Sequence, residues 1–268
     1  MPEGPEVKRL VDSLEKILTG KKLVEIKILS GRYKKHGLPP GFAEFSQKLP
    51  AKISKVSCKG KFIYVIFSNS FSMWNTLGMS GGWSKKKTKH TRAELVLENC
   101  SVYFNDMRNF GTIKFTDQKQ DLFKKLNSLG PDMLSENVEV NVFIERVRKK
   151  NSKTVVEALM DQKVVSGVGN YLKSEALYHS GISPHKKVSE LTELDLTFLC
   201  NSVKETMRSS YKFGGSTFHT FSGYNGEVGE YTRRFAVYNQ KTDPNGETVL
   251  KEKTKDGRTT HWVPSLQK

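Results

Sequence analysis

A change of hydrophobic period close to residue 130 divides this chain into two kinds of architecture. Before it, short β-type runs dominate: "LVEIKIL" (23–29), "KISKVSC" (52–58), "KFIYVIF" (61–67), "FSMWNTL" (71–77), "AELVLE" (93–98), "SVYFN" (101–105) and "TIKF" (112–115). Several are separated by Gly, Asn or Ser turn signals, the texture of a β-sandwich or barrel. After Gly130-Pro131 the period becomes helical, in "VFIERVRKK" (142–150), "KTVVEALMDQK" (153–163), "GNYLKSEALYHSG" (169–181) and "SELTELDLTFLCNSVKETMRSSYKFG" (189–214). Ser189 or Thr192 supplies the N-cap of the last helix. One more helix precedes the β region, with Val7, Leu10, Val11, Leu14, Ile17 and Leu18 on one face and Gly20 as its stop. A closing hairpin is expected from "RRFAVYN" (233–239), the turn "TDPNGE", "TVLKEK" (248–253), the Asp256-Gly257 turn and "RTTHWV" (258–263). The organisation is therefore α+β: an N-terminal β-rich domain over 1–126, a linker over 127–137, a helical domain over 138–231 and a small β appendage over 232–268.

Charge says what such a molecule touches. With 44 basic and 28 acidic residues, the net charge is +16, spread along the chain instead of confined to a tail. That points to a polyanion, nucleic acid first and an anionic membrane or ribosomal RNA next. No run approaches the roughly 18 apolar residues of a membrane-spanning helix. Cys58, Cys100 and Cys200 are odd in number, distant and without CxxC spacing. They read as small apolar residues of a reducing compartment, with nucleus, nucleoid or virion as candidate settings.

The first residues, "MPEGPEV", carry chemistry that a plain helix start does not need. Pro2 and the acidic Glu3 and Glu6 lack the basic region of a signal peptide. Removal of Met1 would leave Pro2 as a free secondary amine, in a pKa class of about 7.7–8.0 and therefore partly unprotonated near neutral pH. Such an amine attacking a sugar C1′ gives an iminium, with Glu3 placed to move protons as general acid and base. Glu6 follows three residues on, on the same side of the helix start. Proline at a first helical position with acidic residues behind it is equally good capping chemistry. A second motif, "VGNYLKSEALYHSGISP", sets Gly167, Gly169 and Asn170 at a helix entrance. Backbone N–H groups there can face a phosphate, with Asn170 as a further donor; a tight helical corner is the other reading.

In order and at matching spacing, "MPEGPEV", "GMSGG", "RNFGT", "GVGNYLKSEAL…GISP" and "GGST" resemble the formamidopyrimidine-DNA glycosylase / endonuclease VIII family over essentially the whole chain. The resemblance implies an N-terminal helix with a two-layered β-sandwich, a helix–two-turns–helix domain and a C-terminal finger. It also implies excision of oxidised bases followed by strand cleavage through β,δ-elimination. Pro2 then matches the nucleophile, Glu3 the acid/base, and Lys61 a sheet lysine that contacts phosphate, with Lys59 as the alternative register. Met79, Arg108 and Phe110 match the trio that fills the space left by an extruded nucleotide: a polarizable wedge, a cation and a stacking ring. His90, Arg108, Asn170 and Lys150 match DNA-binding positions. Extrusion costs a few kcal/mol and is cheapest at damaged pairs.

The resemblance fails at the finger. Where the family has two Cys pairs around zinc, this chain has Asn245, Thr248, Val263 and Leu266, and His261 alone cannot hold a metal. This is similar to the zincless-finger branch, so no cofactor and no zinc are expected. Trp262, Val263 and Leu266 are the candidates for apolar packing in the metal's place, and Arg258 is the candidate phosphate clamp for δ-elimination. Loop 214–231 resembles the lesion-capping loop of the formamidopyrimidine branch, whereas zincless fingers mark eukaryotic or viral members, which leaves the lesion class open. The implied partner is double-stranded DNA with oxidised bases or abasic sites, or single-stranded DNA, bound by a monomer. The competing function is a non-catalytic nucleic-acid binder that keeps the helical module for shape recognition.

Overall fold

The computed structural model describes residues 2–216 and 223–268. They form two compact units. The first comprises Met1–Pro2, Glu6–Asn127 and Gly214–Gly229, and the second Glu3–Pro5, Ser128–Phe213 and Glu230–Lys268. The described residues 214–216 and 223–229 group with the β-rich unit. The helices from residue 140 onward and the closing hairpin share one unit.

In the first unit, α1 (Gly4–Leu18) buries Val7, Leu10, Val11, Leu14 and Leu18, its single apolar stripe. Gly20 at φ +87 then turns the chain into β1 (Lys22–Ile28). The order continues α2 (Arg32–Lys35), α3 (Phe42–Ser46), β2 (Ala51–Lys59), β3 (Phe62–Phe67), β4 (Ser72–Thr76), β5 (Gly81–Ser84), β6 (Thr91–Leu97), β7 (Ser101–Asp106), β8 (Thr112–Thr116) and α4 (Lys119–Ser128). The strands are hydrogen-bonded in the order β5-β7-β6-β1-β2-β3-β4-β8. β1 meets β2 through Lys22–Lys52 and Leu23–Ala51, a short seam at which the sheet folds into two layers. Side chains alternate buried and half-buried along β6 and β7, so each presents one face to the core. A hydrogen bond from Trp83 Nε1 to Asn75 Oδ1 (3.0 Å) ties β5 to β4 across that core. Seven of these strands coincide with the expected runs. β5 does not, because "GGWS" is too short and glycine-rich to show a period. The four- and five-residue helices α2 and α3 also escape pattern reading. α3 is held by Phe45, stacked on Phe115 at 4.9 Å.

The second unit contains α5 (Val140–Arg148), α6 (Val155–Met160), α7 (Asn170–His179) and α8 (Glu193–Lys212), then β9 (Leu250–Lys253) and β10 (Thr259–Trp262). Thr192 caps α8, its Oγ1 accepting from Asp195 N–H at 3.1 Å while Asp195 accepts from Thr192 N–H at 2.8 Å. α7 is the centre of the unit. Every residue from Tyr171 to Leu177 is buried, including Lys173, Ser174 and Glu175 at 0% exposure. Burial drives the Lys173 ammonium below the ordinary lysine range, opposed by the adjacent Asp256 carboxylate.

One expectation is overturned beside it. Residues 233–239 do not form a strand; a 3-10 turn at Tyr231–Arg234 leads into an irregular segment. The reason is Glu175, whose carboxylate accepts the backbone N–H groups of Ala236 (2.8 Å), Val237 (3.0 Å) and Tyr238 (2.8 Å). Donors a sheet partner would need are already taken. Of the residues expected to pack the hairpin, Val263 is fully buried with Ala236, Val237, Val249 and Tyr178. Trp262 is half-buried, edge-on to His185 at 5.2 Å. Leu266 is 44% exposed and contributes little.

Candidate active site

The second unit holds the first group of predicted residues. Glu3 is 2% exposed, and Pro2, the residue before it in the chain, is buried as well. The Glu3 carboxylate accepts from Tyr171 N–H at 3.0 Å and Leu172 N–H at 3.3 Å. It therefore sits on the positive end of α7. The Tyr171 and Leu172 N–H groups thus hold an anion of the protein itself. The entrance is shaped for that purpose. Gly167, at φ +91, accepts Gly4 N–H on its carbonyl at 2.9 Å, and a methyl group on Gly169 would overlap the Glu3 carboxyl. Gln162 fixes the loop, accepting Gly167 N–H at 3.0 Å and donating to the Val168 carbonyl at 2.9 Å.

Asn170, the first residue of α7, donates to the Thr259 carbonyl at 2.8 Å, while its Oδ1 is buried without a partner. Arg258 is exposed on the turn joining β9 to β10, next to Gly257 at φ +76. α7 thus brings Glu3, Asn170 and the Arg258 turn together. Lys150 lies just beyond α5 and pairs with Asp161 at 2.7 Å.

The first unit holds the rest. Lys61 is not on a strand as expected. It forms, with Gly60, the two-residue turn between β2 and β3, and Lys59 is the last β2 residue, opposite Phe62. Gly60 at φ +57 is what such a turn needs. Met79 and Phe110 are 36% and 53% exposed, unusual for large apolar groups and suited to insertion. The Arg108 guanidinium lies over the Phe110 ring at 5.1 Å. The two loops that carry this trio are stapled by Asp106, which is 1% exposed. Its Oδ1 accepts from Ser80 Oγ at 2.6 Å and its Oδ2 from Gly111 N–H at 2.7 Å. Ser80 Oγ also accepts Arg108 N–H at 2.8 Å. Arg92 buttresses the same loop, donating to the carbonyls of Asp106 (2.7 Å) and Met107 (3.3 Å). His90 is half-buried and precedes β6. Pattern reading missed Ser80, Asp106 and Arg92, whose role exists only once the strands pair. Gly78, at φ +62 against the Phe110 backbone, is the single sequence cue that the loops touch.

Glu6, in the first unit, is 2% exposed and accepts Ser216 N–H at 2.7 Å and Ser216 Oγ at 3.2 Å, anchoring the start of the 214–231 loop. Tyr224 returns the loop to the sandwich core. Of the expected lesion-capping loop 214–231, residues 217–222 lie outside the described residues.

Residues 1–113, 129–222 and 227–268 match, in turn, the family models of the formamidopyrimidine-DNA glycosylase N-terminal, H2TH and C-terminal domains. The formamidopyrimidine-DNA glycosylase of Oceanobacillus iheyensis is 30% identical over all of this chain and 98% of its own, and that of Thermus thermophilus 31% over the same shares. Among solved structures, the MutM (Fpg) protein of Thermus thermophilus superposes with a TM-score of 0.88 at 29% identity, covering 99% of this chain and 98% of that one. A Lactococcus lactis Fpg mutant in complex with Fapy-dG-containing DNA gives 0.87 at 28% identity, with both chains fully covered. The chain belongs to the formamidopyrimidine-DNA glycosylase / endonuclease VIII family. No helix among the described residues is long and apolar enough to cross a membrane, and none of their His, Cys, Asp and Glu side chains cluster in threes that could hold a metal ion.

Proposed function

We propose that this protein is a bifunctional DNA glycosylase and abasic-site lyase of base excision repair, acting through the Pro2 nitrogen once Met1 is removed. The observation that carries the reading is the seat of Glu3: an anion fixed by two N–H groups beside the residue that would become the N-terminus. The Pro2 lone pair bonds to C1′, and the base departs with the glycosidic electron pair, taking a proton from water. The proton released by the amine passes through Glu3 to the ring oxygen, the C1′–O4′ bond opens, and an iminium forms beside the carboxylate that stabilises it. Loss of a C2′ proton expels the 3′ phosphate with its bonding pair; loss of a C4′ proton then expels the 5′ phosphate. Lys61 and Arg258 are assigned to phosphate contact during elimination, with His90, Asn170 and Lys150 along the backbone. Met79, Arg108 and Phe110 occupy the space of the extruded nucleotide.

The Fapy-dG-containing and THF-containing DNA found with the Lactococcus lactis proteins supports DNA carrying oxidised bases or abasic sites as substrate. Apolar burial around Val263 and the Glu175 cradle supports a finger that needs no zinc. Borohydride trapping tests the chemistry. Protein verified by mass spectrometry to lack Met1 is expected to form a covalent adduct with abasic duplex, and Pro2→Gly to bind that DNA without forming it. An adduct of parental yield from Pro2→Gly overturns the nucleophile assignment.

A further inference from the structure

Lys173 is a full-length cation with no exposure to water, in the first turn of α7. Its ammonium meets Asp256 Oδ2 at 2.6 Å, and the Asp256 side chain is 3% exposed. Asp256 lies on the hairpin turn two residues before Arg258. Its Oδ1 accepts from Thr254 Oγ1 at 2.6 Å and, at 3.4 Å, from the backbone N–H of Arg258 itself. Thr254 N–H in turn donates to the Arg258 carbonyl at 3.0 Å. On the other side of Arg258, the Thr259 carbonyl accepts from Asn170. Four consecutive residues of α7 therefore serve two ends: Tyr171 and Leu172 hold Glu3, while Asn170 and Lys173 hold the residues flanking Arg258.

Stability does not account for such a pair. Two ions withdrawn from water lose most of their mutual attraction to desolvation, and apolar replacements are often as stable. Charge at the turn does account for it. An uncompensated carboxylate touching the Arg258 backbone would repel the phosphate that Arg258 is to grip. We propose that Lys173 and Asp256 are positioning residues, a buried ion pair that sets the place of the Arg258 guanidinium relative to Glu3 and neutralises the turn on which it stands. This rests on the lyase reading above.

The test uses full-length protein lacking Met1 and a duplex with one abasic site, comparing Lys173→Met with the double variant Lys173→Met/Asp256→Asn. The readouts are melting temperature, borohydride adduct, affinity against salt, and the ratio of β,δ- to β-elimination product. The double variant is expected to melt within a few degrees of the parent and still form the adduct. Its β,δ share should fall about tenfold, and its slope of log affinity against log salt should drop by about 0.9, one phosphate contact. Lys173→Met alone, with the carboxylate unpaired, should bind more weakly than the double variant. A double variant with the parental product ratio and slope overturns the proposal; so does one that fails to fold, because the pair would then be holding the fold. Failure of the parent itself to form an adduct refutes the lyase reading instead.

Discussion

At the level of single residues, the arrangement around Glu3 leaves little freedom. Gly169→Ala forces its new methyl into the Glu3 carboxyl. The expected result is a folded protein about 1–3 kcal/mol less stable whose single-turnover cleavage of abasic duplex falls far more than its affinity for that duplex. His261 offers a second prediction. It is 4% exposed with an unpartnered Nδ1, and burial, then Lys251 and Lys173, lower its pKa to about 4. A histidine held below its unfolded value of about 6.5 opposes protonation only in the fold, so stability drops as pH falls from about 6.5 to about 4, by at most about 3 kcal/mol. Denaturant titrations at pH 7.5 and 4.5 should show His261→Phe losing correspondingly less over that interval. Pro2 and Glu3 could be singled out as candidates from the sequence because their position is itself the signal. Lys173 and Glu175 were not: "LKSEAL" reads as a helix with a solvated side, and only the tertiary structure shows that α7 has none.

Among elements, the sandwich strands were readable because one face of each is buried and the period of two survives in the residues. "RRFAVYN" carries the same apolar alternation yet ends as irregular chain, since its N–H groups serve Glu175. Pattern reports a preference for extended backbone and says nothing of which acceptor the backbone finds. Glu175→Ala should leave three buried donors without an acceptor, costing about 3 kcal/mol or more; reduced protection of the Ala236, Val237 and Tyr238 amides in hydrogen exchange would show it. The loop pair in the sandwich has an equivalent weak point. Asp106→Asn turns one of two acceptors into a donor facing Ser80 Oγ or Gly111 N–H. Loss of about 1–3 kcal/mol is expected, together with impaired capture of opposed-base duplexes, read by comparing affinity for abasic duplex with that for undamaged DNA.

For the molecule as a whole, +16 of net charge makes binding a counterion-release process. Affinity for any duplex should fall steeply with salt, and Arg258→Ala should flatten that dependence by about one contact while sparing the melting temperature. Prolonged chelation should leave the melting temperature unchanged. The absence of the cysteine pairs and the apolar packing at Val263 were plain from the sequence; the Glu175 carboxylate was not. A metal ties a finger to itself, so a zinc finger can be cut out and grafted elsewhere as a portable module. In this chain a carboxylate supplied by α7 holds three backbone N–H groups of the segment that leads into the hairpin. Severed from that helix, a peptide of residues 231–268 should be structureless, and the finger can evolve only in step with its neighbour.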